Sequence, residues 1–394
     1  MLLQDYKVVE LGTYIAGPAA ACIMGRWGAE VIKIEGLEGD AIRWVRPIYK
    51  PDIPPNFEID NHGKRSVAID FSKPEGRQLV LDLVRDADVF VTSFRASSLA
   101  RAGLDYDSLH ALSPKLVYGS VSGYGLQGPG ADKNAFDLTA FWSRSGLALQ
   151  SFPADAMPGN VRPGIGDHIT GLTLAMGVMA ALLERAKTGE GRLVETSLLS
   201  AGLYVGSYDI IEHMRRGEGA PTQSRAATDS TPFYQSADGR WFAFFPTYPQ
   251  KDWPAVFAAA GLPELAKDPR FGTPEGRQQN APAMKAVLDA GFGARSIAAI
   301  GESLTASGVT WSMLYSLPEV IDDPFVEACG AFIDVDDGQG GVLRTPGPPV
   351  RFPGVDHGVA GEVPTIGQHT DEILRELGRS ESAIAELRRA QVIR

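Results

Sequence analysis

The sequence predicts an α/β protein, with a parallel sheet in a large domain and a smaller α+β domain after it. Short β-branched runs alternate with helical patterns in the first half of the chain, at residues 7–11, 30–34, 66–70, 88–92 and 115–119. Strands separated by helices of this kind pair in parallel. The alternation ends after Gly191, and Asp238-Gly239 between apolar runs indicates a β-hairpin. A length of 394 residues exceeds one typical domain, which favours two cores.

The same patterns predict domain boundaries and helices. We expect a large domain at residues 1–216 that is completed by 345–394, a linker at 217–230 and a small domain at 231–344. The linker segment is polar and rich in Gly, Ala and Thr, which is typical of a connecting loop. Helices are predicted at 18–27, 75–85, 169–183, 193–215 and 370–377. Gly28 ends the first of these, as glycine commonly does.

Composition excludes several classes of protein. Lys and Arg number 37 against 48 Asp and Glu, and a net charge of −11 disfavours a nucleic-acid partner. Two cysteines more than 300 positions apart make a disulfide framework improbable and suit a reducing compartment. The most apolar stretch, 169–183, is shorter than a bilayer span and predicts a core helix. The first residues lack a secretory pattern, so we expect a cytoplasmic protein without a membrane partner.

Three familiar catalytic motifs are incomplete. Residues 123–128 match G-x-G-x-x-G after a predicted strand, but loop residues follow where a dinucleotide site needs a helix. The alternative function, a nicotinamide-dependent oxidoreductase, is therefore supported only by this incomplete motif. Residues 119–123 outline a nucleophile elbow with Val121 at its centre, so the nucleophile is missing. The six histidines lack metal-ligand spacing, and no metal is expected. His168 adjoins Asp167, but adjacent helix residues point in different directions.

Residues 122–147 carry a more specific pattern. They read Gly123-Tyr124-Gly125-x-x-Gly128-Pro129, then Phe136-Asp137, then Ser145-Gly146-Leu147. Further pieces occur in order along the chain: Leu11-Gly12-x-x-x-Ala16-Gly17-Pro18, the run at 28–35, Lys64-Arg65-Ser66, Gly189-x-Gly191 and the segments at 367–371 and 376–378. Together they resemble the class III CoA-transferases, the CaiB/BaiF family, over essentially the whole chain.

This resemblance implies the chemistry and the residues that perform it. It makes Asp137 the covalent nucleophile that exchanges CoA between an acyl-CoA and a small carboxylic acid, through an aspartyl anhydride and an aspartyl-CoA thioester. It also implies a Rossmann-like large domain and an interlocked homodimer. The implied contacts with CoA are Lys64, Arg95, Arg101, Ala16 and Gly125. The implied substrate pocket contains Ile15, Tyr124 and Asp167.

The residues taken by themselves allow plainer interpretations. Asp137 precedes an apolar helical run and suits an ordinary helix N-cap. Arg95 and Arg101 follow the strand at 88–92, where ligands gather in parallel sheets, but solvated arginines are also common there. Arg144 suits either a bound carboxylate or a surface ion pair. A CoA-binding protein without catalysis is a further alternative.

Departures from the family pattern bear on the reaction and the substrate. The related α-methylacyl-CoA racemases pair a histidine before the first aspartate with a second aspartate, for which Asp167 is available. Phe136 occupies the histidine's place and cannot exchange a proton, which disfavours racemisation. Some oxalate-using members carry Gln where Ile15 stands, and glycines where residues 244–248 read Phe-Phe-Pro-Thr-Tyr. An apolar substrate pocket is therefore expected, with the donor and acceptor acids undetermined.

Overall fold

The structure is a computed structural model that describes residues 1–45, 54–152, 159–216, 233–337, 340–355 and 361–394. The chain divides into two compact units. The larger comprises Met1–Ala148, Asn160–Ile210 and Glu327–Arg394, and the smaller comprises Leu149–Gly159 and Ile211–Val326. The linker predicted at 217–230 lies outside the described residues.

A six-stranded parallel sheet forms the centre of the larger unit, as predicted. Its strands are β1 (Lys7–Leu11), β2 (Glu30–Glu35), β3 (Arg65–Ala68), β4 (Val89–Thr92), β5 (Val117–Ser122) and β6 (Leu193–Ser197). Their spatial order is β3-β2-β1-β4-β5-β6, with each pair parallel. This order reverses direction between β1 and β4, the arrangement of a Rossmann-like sheet, where loops on the two sides diverge and leave a crevice.

The parts of the chain that the structure describes also contain seventeen α-helices, five further strands, two 3-10 helices (Ala41–Trp44 and Pro263–Lys267) and a π-helical segment (Leu138–Arg144). The helices are α1 (Ala16–Arg26), α2 (Pro55–Asn61), α3 (Pro74–Arg85), α4 (Ala96–Ala102), α5 (Tyr106–Leu112), α6 (Leu147–Gln150), α7 (Ile165–Thr188), α8 (Leu198–Val205), α9 (Ser207–Arg216), α10 (Pro249–Ala259), α11 (Pro274–Gln279), α12 (Ala281–Gly293), α13 (Ile297–Ala306), α14 (Leu317–Ile321), α15 (Pro324–Cys329), α16 (Thr370–Glu376) and α17 (Glu381–Arg389). The strands are β7 (Phe233–Gln235), β8 (Trp241–Phe245), β9 (Thr310–Met313), β10 (Phe332–Asp336) and β11 (Val342–Pro346).

The helix predicted at 193–215 is wrong over its first residues. Residues 193–197 form β6, which pairs with β5 from Tyr118↔Leu193 to Ser122↔Ser197. Sheet pairing overrides the local helical pattern here, because a β-branched pair, Val194 and Thr196, suits a pleated edge strand. Ser197 then caps α8 through a reciprocal hydrogen-bond pair with Ser200, so the helical part starts five residues late.

Helix α7 packs on the sheet beside α1 and positions the candidate site. Leu174, Val178 and Leu182 are buried in a core that α1 shares with one face of the sheet. The helix runs for 24 residues, longer than the apolar stretch at 169–183 predicts. By length and composition it would suffice to cross a membrane, and among the described helices it alone does. Its packing on the sheet agrees with the predicted core helix.

The smaller unit contains the predicted hairpin. Strands β7 and β8 pair antiparallel across the Asp238-Gly239 turn, and β9 adds a third strand. Gly239 has a φ of +76°, a conformation that a residue with a Cβ rarely adopts. Tyr234, Phe242 and Phe292 pack together in the core between this sheet and its helices.

Candidate active site

A cavity of about 700 Å³ lies where β1, β4 and β5 end. Its wall includes residues within two positions of the ends of these strands, namely Thr13 after β1, Ser93 after β4 and Gly123 after β5. The carboxyl ends of parallel strands meet at one edge of a sheet, and ligands bind where the strand order reverses. The fold therefore places the cavity at the position that an open parallel sheet offers to a ligand.

Asp137 lies on the wall of this cavity and is 5% exposed. It directly precedes a π-helical segment, Leu138–Arg144, but its side chain makes no capping hydrogen bond to that segment. Instead Oδ2 accepts a hydrogen bond of 2.6 Å from the backbone N–H of Gly164. Oδ1 is buried and makes no hydrogen bond of normal geometry to the described residues, although the indole N–H of Trp142, itself without a partner, lies near the carboxylate. Asp137 thus occupies the N-cap position, as the plain interpretation has it, but its side chain does not cap the segment. A buried oxygen without a partner requires a functional or structural explanation.

Two glycines at the start of α7 shape the pocket of this carboxylate. Gly164 adopts a φ of +87°, which turns its N–H toward Asp137. A Cβ on Gly166 would lie 2.4 Å from Oδ1 of Asp137 and 2.2 Å from Cγ of Phe141. Only glycine allows this approach. Burial raises the pKa of Asp137, while the backbone of Gly164 and Gly166 at the helix N-terminus counteracts the shift.

Asp167 also lines the cavity, one residue beyond Gly166, and is half-buried. Its carboxyl has no hydrogen-bond or ion-pair partner among the residues that the structure describes. Burial raises the pKa of Asp167 to about 7, and the negative charge of Asp137 adds to the shift. Near pH 7 Asp167 is therefore protonated in about half of the molecules, and the two carboxyl groups titrate as a coupled pair.

The sequence disfavoured a dyad between His168 and Asp167, and the structure contains none. Its Nε2 lies 3.2 Å from both carboxylate oxygens of Asp60, which is buried on α2. The hydrogen bond with Asp60 raises the pKa of His168. The imidazole is thus engaged on the side facing α2.

An aromatic pair forms another part of the wall. The rings of Tyr14 and Phe136 meet edge to face, with centroids 5.1 Å apart. Tyr14 has a φ of +64°, which is unusual for a bulky residue, and its N–H donates to Oδ1 of Asp40 at 3.1 Å. Asp40 is in turn held by the buried ammonium of Lys33 at 2.9 Å. A buried charge network thus stabilises a strained backbone, and such strain is concentrated at functional sites.

The predicted site residues divide between the cavity and its surroundings. Ile15, Ala16 and Arg95 line the cavity together with Asp137 and Asp167. The other four, Lys64, Arg101, Gly125 and Tyr124, lie outside its lining. Arg101 is exposed near the opposite end of α4 and donates to Ser98, and Tyr124 lies under the guanidinium of Arg144. No helix follows Gly128 until residue 138, so the dinucleotide fingerprint lacks its phosphate-binding helix.

Lys64 has a different role from the predicted CoA contact. Its ammonium is buried and lies 2.6 Å from Glu10, with further hydrogen bonds to the carbonyl of Pro18 and the side chain of Asn61. All three of its donors are occupied. The structure therefore gives Lys64 a place in the buried charge network around Glu10 and Lys33.

This assignment predicts that Lys64→Met destabilises the protein by about 3 kcal/mol, because part of the compensation for buried Glu10 is lost. Urea unfolding would measure this loss, and calorimetric CoA binding to the folded variant should keep the wild-type Kd. Lys187→Met is the matched control, since that side chain is exposed in the last turn of α7. If Lys64→Met has normal stability but binds CoA tenfold more weakly, the result would contradict the structural role and support a direct contact between Lys64 and CoA.

Sequence reasoning missed several residues on the cavity wall. These are Tyr14, Lys133, Asn134, Asn160 and Gly164. Gly164 and Gly166 are spaced by one residue just before the apolar helix, and this spacing was the one local signal for a close backbone approach. The position of Lys133 depends on how its loop returns to the sheet, which local patterns do not encode.

Comparisons with known proteins agree with this site. Residues 3–370 match the family described as CoA-transferase family III. The chain is 32% identical to the (R)-2-hydroxy-4-methylpentanoate CoA-transferase of Clostridioides difficile, with 100% of both chains covered. It is also 32% identical to the succinyl-CoA–D-citramalate CoA-transferase of Chloroflexus aurantiacus, over 99% of this chain and 98% of that protein.

A solved structure shares the fold along nearly the whole chain. The crystal structure of a CAIB/BAIF family protein from Brucella suis matches with a TM-score of 0.82 and 31% identity, covering 95% of this chain and 98% of that one. The parallel sheet and the segment that carries Asp137 both fall within the family match at residues 3–370. The chain therefore belongs to CoA-transferase family III.

Proposed function

We propose that this protein moves CoA from an acyl-CoA donor to a carboxylic acid, with Asp137 as the covalent nucleophile. The observation that carries the proposal is the carboxylate itself, buried on the wall of a cavity of about 700 Å³ with one oxygen held and the other unpaired. A carboxylate that is already ionised can attack without a general base, and no such base is needed beside it.

The proposed exchange proceeds through four successive nucleophilic attacks. Oδ1 of Asp137 attacks the thioester carbon, the C–S bond breaks, and an aspartyl–acyl anhydride forms with release of the CoA thiolate. The thiolate attacks Cγ of Asp137, which gives an aspartyl-CoA thioester and frees the donor acid as its carboxylate. The acceptor carboxylate attacks the same Cγ, the C–S bond breaks, and an aspartyl–acceptor anhydride forms with release of the CoA thiolate. The thiolate then attacks the acceptor's acyl carbon and displaces the carboxylate of Asp137. These two steps return Asp137 and yield the new acyl-CoA.

Two features of the site support these steps. The N–H of Gly164 holds Oδ2, the oxygen that bears negative charge when Cγ becomes tetrahedral, and a charge-assisted hydrogen bond strengthens as that charge develops. The anhydride and thioester both hydrolyse in water. Asp137 is only 5% exposed, and this burial slows the hydrolysis of both intermediates.

Intact-mass analysis tests the proposal directly. Wild-type protein incubated with an acyl-CoA should gain the mass of CoA minus water, and neutral hydroxylamine should remove it. Peptide mapping should place the adduct on Asp137. A protein that binds CoA but never forms the adduct would support the alternative of a non-catalytic CoA-binding protein.

We further propose that the acid has a branched or aryl apolar side chain. Relatives are named both for a methyl-branched hydroxy acid and for citramalate, a dicarboxylic acid. The pair Tyr14 and Phe136, with Ile15 and Ile42 beside it on the wall, offers apolar surface next to Asp137. An apolar chain gains from burial there, whereas a second carboxylate loses its hydration.

Phe136→Ala should separate these substrates. We expect kcat/KM for 2-hydroxy-4-methylpentanoate as acceptor to fall roughly 10- to 100-fold, since one lost ring contact is worth about 1–3 kcal/mol, while the value for citramalate changes little. Steady-state rates with each acid would measure the ratio. Phe325→Ala serves as control, because that ring is 82% exposed in the smaller unit. An equal loss for both acids would contradict an apolar subsite.

A further inference from the structure

Two complementary polar groups on the cavity wall are buried without partners. The indole Nε1 of Trp142 and Oδ1 of Asp137 each make no hydrogen bond of normal geometry to the residues that the structure describes. Both side chains line the same cavity. Burial raises the pKa of Asp137, and the indole N–H of Trp142 is among the donors that counteract this shift, which places it beside the carboxylate. A buried donor next to a buried acceptor, with neither satisfied, requires an explanation.

The π-helical segment turns the indole toward the carboxylate. Asp137 has helical backbone angles and directly precedes Leu138–Arg144. In an α-helix residues three and four positions apart share a face, so Trp142, five positions on from Asp137, would point elsewhere. A π-helix spans five residues per hydrogen bond, which brings the fifth residue back over the first. The irregular backbone thus puts an N–H donor beside Asp137, and such turns are frequent at functional sites.

Neighbouring groups hold this segment in place. The hydroxyl of Ser143 donates to the carbonyl of Leu138, five residues back, at 2.6 Å. Helix α8 approaches the carbonyl of Phe141 so closely that a Cβ on Gly202 would lie 2.7 Å from it. The ring of Phe141 is buried and meets the indole of Trp142 edge to face, with centroids 5.5 Å apart. The indole N–H is therefore held in position before a substrate binds.

The proposed exchange returns negative charge to the Oδ1 position when the anhydride breaks. The CoA thiolate adds to Cγ of Asp137 and forms the new C–S bond. The Cγ–Oδ1 bond breaks, its electron pair stays on Oδ1, and that oxygen leaves within the donor carboxylate. The N–H of Gly164 holds Oδ2, which stays on the enzyme. A separate donor at Oδ1 would stabilise the leaving oxygen as its charge develops.

We propose that the indole N–H of Trp142 donates to the oxygen at the Oδ1 position as the donor acid leaves Cγ and, in the reverse sense, as the acceptor carboxylate arrives. This role rests on the proposed CoA-transferase function and adds a catalytic residue to it. In the resting enzyme the N–H lies near Oδ1 without bonding to it, so Oδ1 keeps its electron density for attack on the thioester. A donor that engages only as charge develops lowers the barrier without stabilising the ground state.

Trp142→Phe tests this role, because it keeps an aromatic ring and removes the N–H. We expect aspartyl-CoA to form from acyl-CoA about 10- to 100-fold more slowly, the loss typical of one hydrogen bond to a charged group. Rapid quenching followed by intact-mass analysis would measure the rate. Trp241→Phe is the matched control and should react at the wild-type rate, since that ring is 48% exposed on β8 and lies outside the cavity lining.

A series of acyl-CoA donors distinguishes a hydrogen-bond donor from a packing residue. A weaker acid leaves with more need of charge stabilisation, so it gains more from the N–H. The loss in Trp142→Phe should therefore grow as the pKa of the free donor acid rises, and the plot of log rate against that pKa should become steeper than in the wild type. An equal loss with every donor would overturn the proposal, because packing alone lowers all rates alike.

A second variant decides the question if Trp142→Phe does not fold. Replacing the indole of Trp142 by benzothiophene removes the N–H but keeps the shape of the ring, and this protein should show the same slow adduct formation and the same steeper plot. If the wild type forms no adduct with any acyl-CoA, the proposed function fails and this role with it. If the wild type labels Asp137 and the benzothiophene variant does so equally fast, the role of Trp142 is overturned and the function stands.

Discussion

We expect Asp137→Ala to abolish both CoA exchange and covalent labelling by acyl-CoA. In the proposed mechanism the carboxylate of Asp137 forms the covalent bond, so its removal eliminates the route to the anhydride and the thioester. Loss of a nucleophile lowers kcat by at least roughly 10⁴-fold in enzymes that depend on one. Coupled assays of thioester exchange would measure the rate, and intact mass would show no hydroxylamine-sensitive gain after acyl-CoA treatment.

The control for this variant tests whether the loss is local. Asp132→Ala removes an exposed carboxylate from the same loop, so its kinetics and adduct should match the wild type. Asp137→Ala removes a buried, unpaired oxygen but also leaves the N–H of Gly164 without its acceptor, so we expect its free energy of unfolding to change by no more than about 1–3 kcal/mol. A stable Asp137→Ala protein that still exchanges CoA at the wild-type rate would remove Asp137 from the mechanism.

The parallel sheet could be predicted from sequence because its signal is local. Buried parallel strands are continuous apolar runs, and the five runs in the first half of the chain all became strands of the sheet. The helix predicted at residues 193–197 was wrong because the conformation of this segment depends on its pairing with β5. The paired residues Tyr118 and Leu193 are 75 positions apart in the chain. Because β6 continues directly into α8, no turn residues in the sequence mark the boundary between strand and helix.

The candidate site was predictable to a smaller extent, because it is made by long-range approach. The motif around Phe136-Asp137 is the basis for proposing Asp137 as the nucleophile, but nothing near it in sequence indicates that Gly164 holds one oxygen. Lys64 was expected at the CoA site since a lysine in a family motif suggests an anion. Burial beside Glu10 decides otherwise, and burial is a property of the fold. The interlocked homodimer stays a prediction that the resemblance alone supports.

Gly166→Ala should damage catalysis through Asp137 although it alters neither charge nor hydrogen-bonding groups. The added Cβ would lie 2.4 Å from Oδ1 of Asp137 and 2.2 Å from the ring of Phe141, both far inside van der Waals contact. Phe141 is 1% exposed and packed in a core, so the carboxylate is the group with more freedom to move. A displacement of about 1 Å at a reacting atom lowers kcat by roughly 10²-fold.

The stability of this variant distinguishes displacement from misfolding. Overpacking against Phe141 costs about 1–3 kcal/mol, whereas alanine in place of glycine within a helix returns up to about 1 kcal/mol, so the net loss leaves a folded enzyme. Gly36→Ala is the matched control, since a Cβ there meets no atom within 4 Å. Urea unfolding and adduct kinetics on both proteins would be compared. Full-rate adduct formation in Gly166→Ala would mean that the carboxylate does not react from the position held by Gly164, because a reacting group that tolerates this crowding must act from elsewhere in the cavity.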